Sequence, residues 1–528
     1  MSSADPFDLL VEPVFPVRWT ESAPADSRPP KVGLRELVVR AHEISALAVP
    51  LPPALSALYR ILYALTARIT GLDGLKREEE VPGDWHEKRF AVLDRQRFDV
   101  EAVDAYFSEH SGAFRLFDPH RPFLQDPRLA SECDRTAGLN KLVTTRPSGS
   151  NHSWFQHAAD ARPDPVDRDE ALFHLLVWRY YGPSGRCSAR TVRGTREANS
   201  TAGPLRTALS YHPLGSTLFE TLLAGLPETD FSSLYDPTAD PCPWESPDLP
   251  DPLSIKNVVT GPMSKLTART QHAVLLVPDD TGAAVGDAYI TWAFRQRHPR
   301  DDDYLIRQVS QAGNDYARYA DSQRAPWRDL DALLMEEPPG IRTTRPRVFR
   351  TAVDLAKGHR SLRVQALGIH QEGQAKDTQL VSASTPPIVG DFSEEQNLER
   401  AQLVGQLRVA GERAGARLAR ATKQAWASFS NARKAEDCGW SAQAAARYWP
   451  AAETEFWRRL QEREFDGAAR AFRMLAERIF DDVTAVATAS MRGARAVEAA
   501  RIELYGGRVR ASAGAKHMSA PEADGTES

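Results

Sequence analysis

Over residues 393–510, apolar residues return at helical spacing. Leu403, Leu407, Ala410 and Leu418 make one face, and Trp449, Phe456 and Leu460 a second. Phe472, Leu475, Ile479, Val483 and Val486 make a third, and Ala496, Ala500 and Leu504 a fourth. Residues three and four apart lie on one side of a helix, so this pattern predicts four antiparallel helices joined by short links. Earlier in the chain the pattern is mixed. Leu55, Leu58, Leu62 and Leu65 predict a core-facing helix over 53–70, and an amphipathic helix starts at Gly33. Residues 75–111 read as charged helix with Phe98, Val103 and Tyr106 in the core. Residues 167–181 offer Leu172, Leu175, Leu176 and Trp178 for burial and stop at Gly182-Pro183, where a helix ends naturally. Another helix is expected over 214–226. Short β-rich runs bounded by turn residues predict strands at 14–19, 273–277, 288–294, 347–354 and 362–368.

The connecting segments differ in kind. A Ser-, Pro- and Asp-rich stretch between Trp19 and Gly33 reads as disordered, and 114–124, dense in aromatics and prolines, as irregular. Residues 182–203 form a glycine- and arginine-rich loop, and 236–252, with six prolines and many acids, a long exposed connection. Beyond Ala511 the chain is small and polar. The expected fold class is α+β. A large mixed N-terminal domain with many loops and short strands covers 1–390, a C-terminal four-helix bundle covers 391–510, and a disordered tail covers 511–528.

A chain of 528 residues, 42% hydrophobic and 26% charged, has the composition of an ordinary soluble globular protein with room for two or three domains. There is no apolar run long enough for a bilayer and no signal-peptide pattern over residues 1–10, so no membrane partner is expected and the cytoplasm is the expected location. The cysteines, Cys133, Cys187, Cys242 and Cys438, are far apart, which argues against a zinc site or a disulfide framework. The net charge of −5 does not describe a protein that coats nucleic acid, but charge is unevenly spread. Between positions 179 and 206 six arginines face one acid, Glu197; between 400 and 434 eight basic residues face one acid, Glu412. Such zones fit local phosphate contacts within a larger assembly, or equally solvated helix and loop surface.

The most informative stretch is 140–157. Val143-Thr144-Thr145 gives way to Arg146-Pro147-Ser148-Gly149-Ser150-Asn151, and Trp154 and Phe155 then anchor the chain, flanked by His152 and His157. Pro fixes φ, Gly and Asn tolerate positive φ, and the hydroxyls bond backbone locally. The result is a polar, cationic loop tip suited to gripping a phosphate or entering a groove, or an ordinary surface loop. Catalytic signals are missing. Residues 182–203 lack the spacing of a nucleotide-phosphate cradle, and there is no Ser/His/Asp ordering, paired carboxylates or His-Glu-x-x-His. His120 reads as a packed or capping histidine. Asp301-Asp302-Asp303 beside His298 reads as a solvated, helix-capping run rather than a metal site. Three classes compete: a nucleic-acid recognition subunit without chemistry of its own, a hydrolase or metalloenzyme using His120, His152, His157 or the Asp301 cluster, and a structural scaffold. The first fits best, with no enzyme activity, cofactor or metal expected.

The order of several weak motifs sharpens this reading. Phe7-Asp8-Leu9-Leu10-Val11-Glu12-Pro13-Val14-Phe15-Pro16-Val17, Gly33-Leu34-Arg35-Glu36-Leu37 and Ala41-His42-Glu43-Ile44 resemble the start of the large subunit (CasA family) of the type I-E CRISPR Cascade complex. The resemblance continues through Phe114-Arg115-Leu116-Phe117-Asp118-Pro119-His120-Arg121-Pro122-Phe123-Leu124-Gln125, the Pro-Ser-Gly-Ser-Asn loop, Gly182-Pro183-Ser184-Gly185-Arg186 and a closing helical domain. It implies a subunit at one end of a crRNA-guided complex that reads a protospacer-adjacent motif in double-stranded target DNA from the minor groove. It also implies that the subunit helps to open the duplex into an R-loop and docks a helicase–nuclease. The implied partners are crRNA, target DNA, the backbone and small Cascade subunits, and that nuclease. The family's glycine loop corresponds to Gly182, Pro183, Ser184, Gly185 and Arg186, with fewer consecutive glycines than in some relatives. The lysine finger falls at Lys256, with Lys265 as the alternative. The glutamine wedge falls at Gln374, with Gln371 second. The loop from Val143, Thr144, Thr145, Arg146, Pro147 and Ser148 to Gly149, Ser150 and Asn151 corresponds to the segment that contacts crRNA and the neighbouring backbone subunit.

Overall fold

The computed structural model describes residues 6–73, 84–148, 161–228, 237–255, 258–296, 301–338, 342–356, 361–372, 376–430 and 438–508. The chain divides into two compact units. One consists of Met1–Pro326 with Ala332–Leu398, the other of Trp327–Asp331 with the chain from Glu399 on.

In the larger unit, β1 (Phe15–Trp19) pairs antiparallel with β2 (Lys31–Val32) and β3 (Ile44–Leu47), with α1 (Leu34–Val39) between the latter two. The stretch between β1 and β2, expected to be disordered, is tied down by its own backbone acceptors. Trp19 Nε1 donates to Pro29 O at 2.8 Å and Arg28 Nε to Ala23 O at 3.0 Å. Helix α2 (Pro52–Thr70) opens on two prolines and closes on left-handed Gly71. Its leucines predicted one buried stripe, yet every residue except Arg68 and Thr70 is buried. The polar groups this brings inside are partnered: Arg60 Nη2 lies 2.9 Å from Asp302 Oδ1, and His212 meets Ser56 Oγ at 3.0 Å and Tyr63 Oη at 3.2 Å. Helices α3 (Asp84–Asp94) and α4 (Val100–Glu109) follow, then irregular chain and two single turns, α5 (Leu129–Glu132) and α6 (Leu139–Leu142). His120, expected to be a packed or capping histidine, is exposed, in a turn where its backbone N–H donates to Asp118 Oδ1.

The rest of this unit is organised by small antiparallel sheets. Strand β4 (Val166–Asp167) leads into α7 (Arg168–Tyr181), followed by β5 (Gly185–Val192), β6 (Thr195–Ser200), β7 (Ser210–Leu214) and α8 (Leu218–Ala224). Then come α9 (Pro262–Thr267), β8 (His272–Pro278), β9 (Ala284–Trp292), β10 (Arg307–Val309), β11 (Asp315–Ala317), α10 (Asp331–Leu334), β12 (Thr343–Thr344), α11 (Val348–Ala356), β13 (Arg363–Glu372), β14 (Lys376–Ser384) and α12 (Val389–Phe392). The sheets run β4-β9-β8, β5-β6, β14-β13-β7 and β11-β10-β12.

Several expectations are corrected here. Residues 347–354 are helix α11, not a strand; Val348, Phe349, Ala352 and Val353 are all buried, a helical repeat that β-branched composition disguises. Residues 182–203 are largely a hairpin, turned at Arg193 (φ 47) and Gly194 (φ 83), both left-handed as a two-residue hairpin turn demands. Ser188, Arg190 and Val192 point inward, and the charge at 190 hides the alternation. The described part of the proline-rich 236–252 is no exposed connection: Asp240, Cys242 and Trp244 are buried and Glu245 pairs with Arg68 at 3.0 Å. Nor is the acidic run solvated as a whole: Asp301 is half-exposed, but its neighbours are not. Asp302 is buried between Arg60 and Arg269, and Asp303 lies 2.7 Å from Arg347 Nε. Burial opposes ionisation of Asp302, yet the two arginines hold its carboxyl well below the usual carboxylate range. His298 lies outside the described residues.

The second unit is helical: α13 (Glu394–Ser430), α14 (Gly439–Glu462), α15 (Ala468–Thr484) and α16 (Met491–Arg501). The backbone of α13 is non-helical at Asn397, just before this unit begins. Leu407, Leu418, Phe456, Leu460, Phe472 and Ile479 are buried as the spacing predicted, whereas Val486 is exposed. Trp327 belongs to the same core, although more than sixty residues of chain separate it from α13. Its ring lies 5.0 Å from that of Phe456 and 6.4 Å from that of Phe472, nearly parallel to the latter. Gly411 makes the room, since a Cβ there would meet Trp327 at 2.8 Å. Arg328 and Asp331 fix the same segment through Glu412 at 2.7 Å and Arg408 at 2.8 Å. The expected tail, 511–528, lies outside the described residues. Among those described, no helix is long and apolar enough to cross a membrane.

Candidate nucleic-acid interface

Helix α7 is buried from Ala171 to Tyr181, and its last turn delivers the chain to Gly182, whose N–H donates to Trp178 O at 3.2 Å. Gly182 packs against the ring of His272; a Cβ there would lie 2.5 Å from Nδ1. His272, buried at the start of β8, has Nε2 2.9 Å from Pro183 O and 3.0 Å from Ser200 Oγ. A proton on Nε2 serves the carbonyl, which fixes the neutral tautomer. Burial holds the imidazole at about 4, helped by Arg206 and Lys141 and opposed by the Pro183 hydrogen bond. From this support the turn comes to the surface: Pro183 and Ser184 are half-buried, Gly185 and Arg186 exposed. Gly185 has φ +137 and open space around its Cα, a conformation that glycine alone adopts without strain.

The described part of the 143–151 loop packs beside this turn. Trp178 Nε1 donates to Leu142 O at 2.9 Å, and Val143 is buried. Thr144 reaches His174 Nδ1 with its N–H (3.4 Å) and hydroxyl (3.3 Å). Arg146 folds back, N–H to Val143 O at 2.9 Å and Nη1 to Asp164 O at 2.7 Å. Thr145 is exposed, and Pro147 and Ser148 are half-buried. Gly149, Ser150 and Asn151 lie outside the described residues, as do His152 and His157.

A cavity of about 300 Å³ joins these pieces to the β13–β14 hairpin. The loop contributes Lys141, Val143, Arg146 and Ser148, the turn Gly182 and Pro183, and the far wall Arg206 and Asp377. Asp377 ties the wall together: Oδ1 lies 2.7 Å from Arg206 Nη2 and accepts from Gln371 Nε2 at 2.8 Å. The structure thus brings together the loop, the glycine turn and the turn end of the hairpin, three segments far apart in sequence. Gln371 itself is held in strand β13 by Asp377. Gln374 and Lys256 lie outside the described residues. Lys265 stands elsewhere, on α9, bonded to Asp301 Oδ2 at 3.1 Å and Asp303 Oδ1 at 3.2 Å.

The first basic zone is mostly neutralised. Arg190, fully buried, lies 2.8 Å from Asp126 and 2.6 Å from Glu132, Arg193 pairs with Asp251, Arg196 with Asp134 and Arg206 with Asp377. Arg179 is buried. Arg186 alone of the six is exposed without a carboxylate partner among the described residues. Lys141, which spacing gave no reason to single out, stands next to it: its Nζ donates to Arg186 O at 3.3 Å, and burial lowers its pKa. In the second zone, Arg413 and Lys423 are exposed and Arg417 half-exposed on α13, with no carboxylate partner among the described residues. The four cysteines are free, and no group of His, Cys, Asp and Glu that could hold a metal occurs among the described residues.

A family model described as CRISPR-associated protein Cse1 matches residues 8–485. The CasA/Cse1 protein of Thermus thermophilus is 27% identical over 353 residues, covering 65% of this chain and 63% of that protein, so the match spans less than two thirds of this curated relative. A solved chain of a CRISPR RNA-guided surveillance complex superposes with a TM-score of 0.83 at 40% identity, covering 94% of this chain and 99% of that one. Thermobifida fusca Cse1 shares the fold, with a TM-score of 0.73 at 19% identity over 96% of this chain and 99% of its own. The α+β architecture is that of a class of large CRISPR-associated proteins. Within that class, the chain belongs to the Cse1 (CasA) family.

Proposed function

We propose that this chain is the non-catalytic DNA-recognition subunit of a crRNA-guided type I-E surveillance complex in the cytoplasm. The observation that carries the reading is the convergence of the 143–148 loop, the Gly182–Arg186 turn and the β13–β14 hairpin around one cavity, with Lys141 and Arg186 beside it. A chain 40% identical has been solved in a CRISPR RNA-guided surveillance complex, which supports a like assembly here. On this reading the exposed Gly185 lets backbone approach base edges in the minor groove of the protospacer-adjacent motif, where base information is degenerate and shape and backbone contacts matter most. Arg186 holds a neighbouring phosphate. The 143–151 loop contacts crRNA and the adjacent backbone subunit. Lys256, or Lys265 if its acidic partners are displaced, reads the motif. Gln374, with Gln371 as its alternative, wedges the duplex open, and guide pairing then reads the sequence. The unpaired cations of α13 meet target-strand phosphates, and the chain docks the helicase–nuclease.

The test uses the complex reconstituted with its crRNA and partner subunits. Arg186→Ala is expected to leave assembly intact, weaken binding of motif-bearing duplex, and lower the slope of log K against log salt by about one phosphate contact. Unchanged affinity and slope would remove the turn from the interface.

A further inference from the structure

A second cavity, about 380 Å³, shares no lining residue with the first. It lies under the proline-rich segment: Pro241, Trp244 and Leu249 make one side, and Val274 of β8 and Phe294 the other. In its wall is Arg179, from the last turn of α7 and 8% exposed. Its Nη1 donates to Leu124 O at 2.9 Å and its Nη2 to Thr267 O at 3.1 Å, while Nε has no partner. Among the described residues no carboxylate lies within ion-pair distance of this guanidinium. Three other buried arginines are treated differently: Arg60 and Arg269 share Asp302, and Arg190 has Asp126 and Glu132. Arg128, also in the cavity wall, is bonded through Nε and Nη2 to Asp126. Two carbonyl dipoles do not neutralise a full charge, and a buried, uncompensated cation costs several kcal/mol. Burial also lowers the Arg179 pKa, yet a guanidinium remains protonated. The missing counter-charge and the empty apolar space therefore occur at the same place.

We propose that this cavity binds a small organic carboxylate with a flat apolar body, the carboxylate lying against Arg179 and the body among Trp244, Val274 and Phe294. Nε is shut off from the cavity, so the carboxylate is placed at a hydrogen that Nη1 or Nη2 keeps beside its carbonyl bond, a charge-assisted contact. Most of the lining is apolar, which favours a body of one or two fused rings over a highly charged phosphate.

The probe is 2-naphthoate, with the isosteric but neutral 2-naphthamide as control, titrated calorimetrically into the full chain. Naphthoate is expected to bind at least about tenfold more tightly than the amide, the ratio a single charge-assisted pair supplies. It is also expected to slow hydrogen exchange in the non-proline amides of 241–250 and in 266–274. Arg179→Gln, which keeps polar N–H donors but loses the charge, is expected to abolish the preference for naphthoate over the amide. If that variant does not fold, the wild-type comparison and the exchange map decide alone. Equal binding of the two probes, no binding up to millimolar concentration, or protection confined to other segments would overturn the proposal.

Discussion

Trp327 makes the most demanding test of how the chain is divided. Its side chain is fully buried among Phe456, Phe472 and Trp449, with centroid separations of 5.0, 6.4 and 6.3 Å. A buried aromatic side chain removes roughly 150–250 Å² from water, which at about 25 cal/mol per Å² is about 4–6 kcal/mol. Truncation series for such residues give about 3–5 kcal/mol, because the cavity partly collapses. Trp327→Ala is therefore expected to lower the opening free energy of the helical unit by about 3–5 kcal/mol. Trp327→Phe should cost less, since it also removes an indole N–H that is buried without a partner. The assay is native-state hydrogen exchange, read separately for α14 and α15 and for β8 and β9. Loss of protection confined to α14 and α15 is the expected result. An equal loss in β8 and β9 would mean the two units open together, and no loss in either would mean that Trp327 is not part of the helical core. By the same reasoning, a fragment starting at Glu399 should be poorly ordered until a peptide covering 322–334 is added.

Three further outcomes follow from the larger unit. His272 is held at about 4 against an ordinary 6.5, so between those values the unfolded chain binds more protons; its contribution, about 3 kcal/mol at most, is complete above pH 6.5 and disappears as pH falls to 4, and thermal melts of His272→Gln should show a flatter acid limb than wild type. Arg190→Met leaves Asp126 and Glu132 without their shared cation and should cost about 3–5 kcal/mol in chemical denaturation, whereas Arg193→Met, at an exposed pair, should cost less than about 1. Gly182→Ala drives a methyl into the His272 ring and should cost about 1–3 kcal/mol; the double mutant with His272→Ala should recover part of that loss, and strict additivity would show that the two do not touch.

Long helices were legible from the spacing of their apolar residues: α2 (although it buries far more than its leucine stripe), the end of α7 at Gly182, and the apolar positions of α13 to α15. Strands β8 and β9 were found by their β-branched runs. What stayed hidden had partners far away in sequence. Nothing near position 190 announces that an arginine can occupy an inward strand position, because the acids that permit it stand at 126 and 132. Prolines over 236–252 signalled irregular backbone correctly, but irregular chain can still be buried when Asp240 caps α9 through the N–H groups of Met263 and Ser264. No periodicity could assign Trp327 to the helical core. For the site, the loop and the glycine turn were legible as turn chemistry, whereas Lys141, Arg206 and Asp377 enter only through tertiary proximity.

The same distinction bears on how a chain of net charge −5 could meet nucleic acid. Counting arginines between 179 and 206 suggested a basic patch, yet four of the six are matched to carboxylates and a fifth is buried. A matched arginine presents little field beyond its partner and cannot release a counterion on binding, so it adds nothing to the electrostatic affinity. The cations left over in the described residues of both zones are few, Arg186 at the turn and Arg413, Arg417 and Lys423 along α13, and Lys141 stands beside Arg186. On the proposed reading, that small number makes the isolated chain a weak, salt-sensitive DNA binder. Tight binding must then come from holding those few cations, and the exposed backbone of Gly185, in fixed register with the duplex. The buried contacts of His272 with Gly182 and Pro183 provide that rigidity: if, as proposed, the turn approaches base edges, it must not yield, and its support is a neutral, close-packed ring rather than a charge that solvent or salt could loosen.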